Sequence, residues 1–188
     1  MVINITTYKK LEESEYNIKV GRTIFQKICY VLSRYGTDIG VTFSKGTYGP
    51  YSADIKKMIT ILSNNNLIYE KEYGKMILIT VNKEFKIDKT LYSKKDIENV
   101  NKTFQLFKRI KDTSQAELIT TILFSFDNLK ERHHEVTENM IYEYIVEWKN
   151  RFSDYESELK IRELTKSLTG MNLISVDYNK DYMDDMFF

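Results

Sequence analysis

Residues 67–81 read Leu-Ile-Tyr-Glu-Lys-Glu-Tyr-Gly-Lys-Met-Ile-Leu-Ile-Thr-Val, two β-prone runs on either side of Gly74-Lys75. A glycine followed by any residue suits the two-residue type II′ turn that joins antiparallel strands, so 67–73 and 76–81 are predicted to pair as a hairpin. Immediately upstream, Ile55, Met58, Ile59 and Leu62 recur at helical spacing, with Lys56 and Lys57 pointing elsewhere. The spacing predicts a helix over 53–63, with Ser52 as its cap. Asn64-Asn65-Asn66 ends it, because asparagine tolerates the left-handed backbone of a helix terminus. Before this helix lies Lys45-Gly-Thr-Tyr-Gly-Pro-Tyr-Ser52, which holds two glycines and the chain's only proline. That composition reads as a loop with a fixed course. Further back, Ile39, Val41 and Phe43 alternate as a short strand. Ile24, Phe25, Ile28, Cys29, Val31 and Leu32 predict a helix over 22–35 that stops at Gly36.

Helix, loop, helix and hairpin in this order describe a winged-helix-like unit over 21–92, the hairpin being its wing; residues 1–20 read as an N-terminal extension. After a polar connection the chain turns helical. Ser93 with Asp96 marks a helix start, and Ile97, Val100, Phe104 and Phe107 keep the period to about Lys111. Ser114 with Glu117 reads as a capping box opening 115–131, a helix apolar nearly all round and so expected to be central. Thr137 caps a helix with the stripe Ile141, Tyr144, Ile145, Trp148 and Phe152, and a last helix over 155–169 closes at Gly170. Asn172-Leu-Ile174 then repeats Asn66-Leu-Ile68, an echo that points to a second helix-plus-wing unit, although no clear return strand follows it. The expected fold is mainly α with small β-hairpins (α+β): the winged-helix-like unit, a helical acidic unit over 93–178 packed on it, and an acidic, apolar tail over 179–188.

Composition narrows the function. The chain has 188 residues, 42% hydrophobic and 13% aromatic, which is a globular composition rather than a disordered one. No uncharged apolar run approaches the roughly 18–20 residues of a membrane span, and the first residues lack the pattern of a secretory signal. One cysteine permits no internal disulfide, so the cytoplasm is the expected compartment. Lys+Arg 28 against Asp+Glu 27 gives a net charge of +1. That total conceals an asymmetry: residues 1–111 hold 20 basic and 11 acidic residues, and 112–188 hold 8 and 16.

No nucleophile elbow, phosphate-binding glycine loop, dinucleotide fingerprint or zinc-protease helix occurs, so enzyme is the least supported class and no cofactor or small-molecule substrate is expected. His134 and Glu138 are four apart, but with no third ligand nearby they read as a solvated helix end. The sharper candidates are for partner binding. Lys45, Tyr48 and Tyr51 sit on the Gly-Pro loop, either as a recognition surface or with a tyrosine packed on the core. Lys56, Lys57, Lys71 and Lys75 fall where winged-helix proteins touch DNA, with Glu70 and Glu72 interleaved. In the acidic half, Glu117, Glu131, Glu135, Glu143, Glu147, Asp154 and Glu156 are either ordinary helix exteriors or carboxylates addressed to a basic partner.

Gly21-Arg-Thr-Ile-Phe-Gln-Lys-Ile-Cys-Tyr30, Phe43-Ser-Lys-Gly-Thr-Tyr-Gly-Pro-Tyr-Ser52 and Leu62–Ile68 follow in an order that resembles a broad group of small antitoxin and YwgA-like domains. With Thr113-Ser-Gln-Ala-Glu-Leu-Ile-Thr-Thr121, Glu147-Trp-Lys149 and Asn172-Leu-Ile174, the chain resembles the C-terminal, toxin-binding domain of DarG antitoxins over about residues 18–176. The resemblance implies a protein partner, a DarT toxin that transfers ADP-ribose from NAD onto thymidine of single-stranded DNA. It also implies a mechanism, in which the domain fills the toxin's DNA groove and imitates the nucleic acid. Members of the family also carry an N-terminal macrodomain, for which 20 residues leave no room. The alternatives are a winged-helix DNA-binding regulator, with DNA as the partner, and a protease-adaptor or scaffold module.

Overall fold

The computed structural model describes residues 3–14, 19–74, 76–86 and 88–178. Seven α-helices and two small antiparallel two-stranded sheets form there, a mainly helical α+β fold. The expected tail over 179–188 and Lys75 lie outside the described residues. The chain divides between Glu117 and Leu118 into two compact units.

The first unit contains α1 (Ile3–Glu12), α2 (Arg22–Arg34), β1 (Ser44–Gly46), β2 (Gly49–Tyr51), α3 (Ala53–Asn64), β3 (Ile68–Tyr73), β4 (Met76–Val81) and α4 (Lys94–Phe107). Within the segment read as an N-terminal extension, α1 is instead part of the core. Ile5, Tyr8 and Leu11 of α1 are buried, α1 packs on α2 and α4, and the Tyr8 hydroxyl donates to the Ile79 carbonyl of β4. Its buried face also includes Asn4, Thr6 and Thr7, polar residues that break the apolar period by which a helix is recognised.

The wing forms as predicted. β3 and β4 pair from Ile68↔Val81 to Tyr73↔Met76, which leaves a two-residue turn, and Gly74 takes a positive φ of 60°. Ile68, Ile79 and Val81 turn inward. Val20-Gly21 runs along the free edge of β4: Gly21 bridges Leu78, and the Ile79 amide donates to the Val20 carbonyl at 3.0 Å. A side chain at Gly21 would stand 3.0 Å from the Ile77 carbonyl oxygen, tighter than ordinary van der Waals contact, so the strand edge would have to shift to admit one.

The strand expected over 39–43 does not form. Pairing is confined to β1 and β2, with Ser44↔Tyr51, Lys45↔Pro50 and Gly46↔Gly49 in register. Alternation alone makes no strand without a partner edge, and Phe43 packs edge-on against Tyr30 instead, ring centres 5.4 Å apart. The boundary expected at 92/93 falls inside the first unit, because α4 packs on α1 and α2. Asn99 fixes that packing by donating to the Tyr35 carbonyl (3.1 Å) and the Thr37 hydroxyl (3.0 Å).

A long helix, α5 (Thr113–Lys130), runs from one unit into the other. Its start is held by Asp112, which accepts from the Gln115 amide at 2.7 Å, while the Gln115 side chain accepts from the Lys111 amide at 2.7 Å. The expected Ser114–Glu117 box is therefore displaced by two residues. In the second unit α6 (Glu138–Trp148) begins at Thr137, whose hydroxyl accepts from the Met140 amide, as predicted. Phe124 of α5 stacks at a tilt on Trp148 of α6, centres 5.4 Å apart. The last helix, α7 (Tyr155–Gly170), includes Gly170 rather than stopping there.

The Asn-Leu-Ile echo has a physical basis at the helix ends. Asn66 and Asn172 are both left-handed, at φ 55° and 56°. In each case the asparagine amide bonds three residues back and the following leucine amide five residues back, the Schellman termination. The echo stops there. No strand follows Ile174 among the described residues, and the Asp177 amide donates to the Val136 carbonyl at 2.9 Å. Among the described residues no helix is long and apolar enough to cross a membrane.

Candidate functional site

The Gly-Pro segment is held by two polar side chains that α2 buries among its apolar residues. The Gln26 amide donates to the Ser52 carbonyl at 2.8 Å and accepts from the Ser52 amide at 3.1 Å, mimicking the pairing a neighbouring strand would supply. Lys27, 2% exposed, donates its ammonium to the Pro50 carbonyl at 2.9 Å. Ser52 occupies the N-cap position of α3 but makes no side-chain capping bond; its backbone, not its hydroxyl, is the fixed part. Gly49 adopts φ 90° and Gly46 lies so close to Tyr51 that an added Cβ would stand 2.6 Å from the tyrosine's. The result is a rigid hairpin that presents Lys45, Tyr48 and Tyr51 outward, the two tyrosines 60% and 44% exposed. Of the two readings of these tyrosines, core packing is excluded.

Two clefts adjoin the hairpin. One, of about 460 Å³, lies among the start of α2, the hairpin and α3, and is lined by Arg22, Thr23, Lys27, Tyr48, Tyr51 and Lys56. The other, of about 630 Å³, shares Arg22, Thr23 and Tyr48 with it and adds Lys19, Tyr73 and Met76. Glu70 holds Arg22 through two hydrogen bonds, at 2.6 and 2.8 Å. The Lys19 ammonium sits 3.6 Å from the centre of the Tyr73 ring, and its hydrogen bond to the phenol pulls that pKa down from the ordinary tyrosine value. Gly21 gives α2 no side-chain cap, and no acidic residue occupies the helix's first turn.

The acidic candidates separate by position. Glu117 is buried and so is not part of an exposed carboxylate surface. Glu131 and Glu135 are exposed in the connection between α5 and α6, and Glu143 and Glu147 are exposed one turn apart on α6. Asp154 caps α7, accepting from the Ser157 amide (3.0 Å) and hydroxyl (2.6 Å), and Glu156 pairs with Lys160 at 2.7 Å. Glu138 is buried against Arg162 (3.0 Å) rather than facing His134, which is exposed in the turn before it. Among the described residues no three histidine, cysteine or carboxylate side chains stand together as a metal site. Cys29 is buried, and burial pushes its thiol far up, which makes it a packing residue. Of the lysines set out for DNA contact, Lys56 lines the cleft, Lys57 pairs with Asp54 at 2.8 Å, and Lys71 is exposed on β3.

Sequence reasoning missed Arg22, Gln26 and Lys27. The available signal was two consecutive polar residues inside the buried run Ile24–Leu32, where polar side chains need partners. No protein-family model matches the chain, and no curated protein matches it.

Proposed function

We propose that the chain is a non-enzymatic, cytoplasmic antitoxin domain that neutralises a DarT-type ADP-ribosyltransferase by covering its single-stranded DNA groove. The observation that supports this reading is the clamp. Gln26, Lys27, Gly46, Gly49, Pro50 and Tyr51, which carry the resemblance, converge on one preorganised hairpin that presents Tyr48 and Tyr51. Rigid, exposed tyrosines make strong protein contacts at low entropic cost. The exposed carboxylates Glu131, Glu135, Glu143 and Glu147 suit a partner whose own groove is built for phosphates.

Mixing the chain with its cognate toxin is expected to give one co-eluting species in size-exclusion chromatography; separate elution overturns the proposal. Tyr48→Ala with Tyr51→Ala is expected to weaken the complex by about thirtyfold or more, the scale of an interface hot spot. Glu143→Lys with Glu147→Lys tests the imitation of nucleic acid separately. An unchanged affinity there removes the mimicry and leaves the neutralisation standing.

A further inference from the structure

We propose that the two clefts beside the hairpin, which share Arg22, Thr23 and Tyr48 on their walls, form a groove for a single strand of nucleic acid, independent of the antitoxin reading. Its walls carry Lys19, Arg22, Lys27 and Lys56; no aspartate or glutamate is among the described residues that line either cleft, and Glu70 pairs with Arg22 from β3. The start of α2 opens into both, since Arg22 and Thr23 line each of them. With no side-chain cap and no acid in its first turn, that helix end offers amide groups and a positive dipole to a phosphate. Three exposed rings mark the groove's course: Tyr51 in one cleft, Tyr73 in the other, and Tyr48 shared between them. Cations beside successive aromatic faces are the means by which proteins hold unpaired strands, the cations following the backbone and the rings stacking bases.

The same residues argue against a duplex. A winged-helix unit reads double-stranded DNA with the outward face of its second helix, here α3, but Lys57 on that helix is paired with Asp54 while Lys56 lines a cleft. A recess admits a flexible strand and excludes the convex duplex. Lys27 at one wall keeps its ammonium on the hairpin carbonyl and Arg22 keeps its guanidinium on Glu70, so Lys19 and Lys56 supply the phosphate contacts.

The test uses the whole chain without toxin, so its failure leaves the antitoxin reading untouched. A fluorescein-labelled oligothymidylate is titrated at several salt concentrations, with a duplex of equal length and polyglutamate as competitors. Saturable binding is expected, with both competitors at least about tenfold weaker. Tyr48→Ala is expected to lower affinity about 5- to 150-fold, the loss of one stacked base. Lys56→Ala is expected to reduce the slope of log K against log salt by about 0.7, one phosphate contact on a single strand. On the unsubstituted chain, amide NMR shifts are expected at Thr23, Gly46 and Tyr48. No binding, an equally tight duplex or polyglutamate, or shifts confined to other residues overturns the proposal.

Discussion

Gln26 bonds both backbone groups of Ser52 from a buried position on α2; the Ser52 carbonyl also accepts from the Ile55 amide at 3.3 Å, so replacing Gln26 leaves the Ser52 amide without its partner. An unsatisfied buried group costs about 1–3 kcal/mol, and Gln26→Leu is expected to lower unfolding free energy by that much in urea titration. Gly46 acts through space rather than bonding. A methyl group there would stand 2.6 Å from the Tyr51 Cβ and 3.0 Å from the Gly49 carbonyl oxygen. Gly46→Ala is therefore expected to cost about 1–3 kcal/mol, as overpacking does, and, on the proposed antitoxin reading, to reduce toxin binding because the displaced residue is Tyr51. Thermal denaturation beside a binding titration checks both effects.

Helix ends contribute at the next scale. Asn66 and Asn172 hold left-handed conformations that cost an ordinary residue about 1–2 kcal/mol. Asn66→Ala and Asn172→Ala are each expected to destabilise by about 1 kcal/mol in urea titration, with the glycine variants neutral or better. At helix starts, Asp96 completes a capping box with Ser93, and Asp154 accepts from Ser157. Hydrogen bonds from the serine hydroxyl and backbone hold both carboxyls below the usual aspartate value. A pKa depressed on folding contributes stability above the unfolded value and loses it as pH falls. The advantage of the native chain over Asp154→Asn is therefore expected to shrink below about pH 4, read from thermal midpoints across an acid series. Glu12 has the opposite sign, since burial raises its pKa. Its contribution is greatest at low pH and declines as pH rises through the glutamate range toward the folded value.

At the scale of the whole molecule, the unit ending at Glu117 holds 20 basic and 13 acidic residues, and the remainder 8 and 14. A carboxylate-bearing surface steers a basic partner mainly in the association step, over distances that salt screens. On the proposed antitoxin reading, the association rate with the toxin is expected to fall at least about tenfold from low to physiological salt while dissociation changes little, as stopped-flow mixing would show. The elements whose residues repeat cleanly were legible without coordinates: α2, α3, α4, α6 and the β3–β4 wing follow from periodicity, a glycine turn and cap residues. The exposed Tyr48 and Tyr51 were also legible as candidates, because glycine and proline fix a loop's course. What was not legible has distant partners or mixed faces. The face of α1 contains asparagine and threonine among its isoleucines, and the division at 117/118 falls inside a continuous helix. Local signals act over a few residues, through backbone geometry and the alternation of apolar side chains, and those the sequence determined by itself. The clamp joins residues 26 apart and the α1–β4 bond residues 71 apart. Their formation depends on which buried polar groups meet once the core has closed, and the tertiary structure alone decided that.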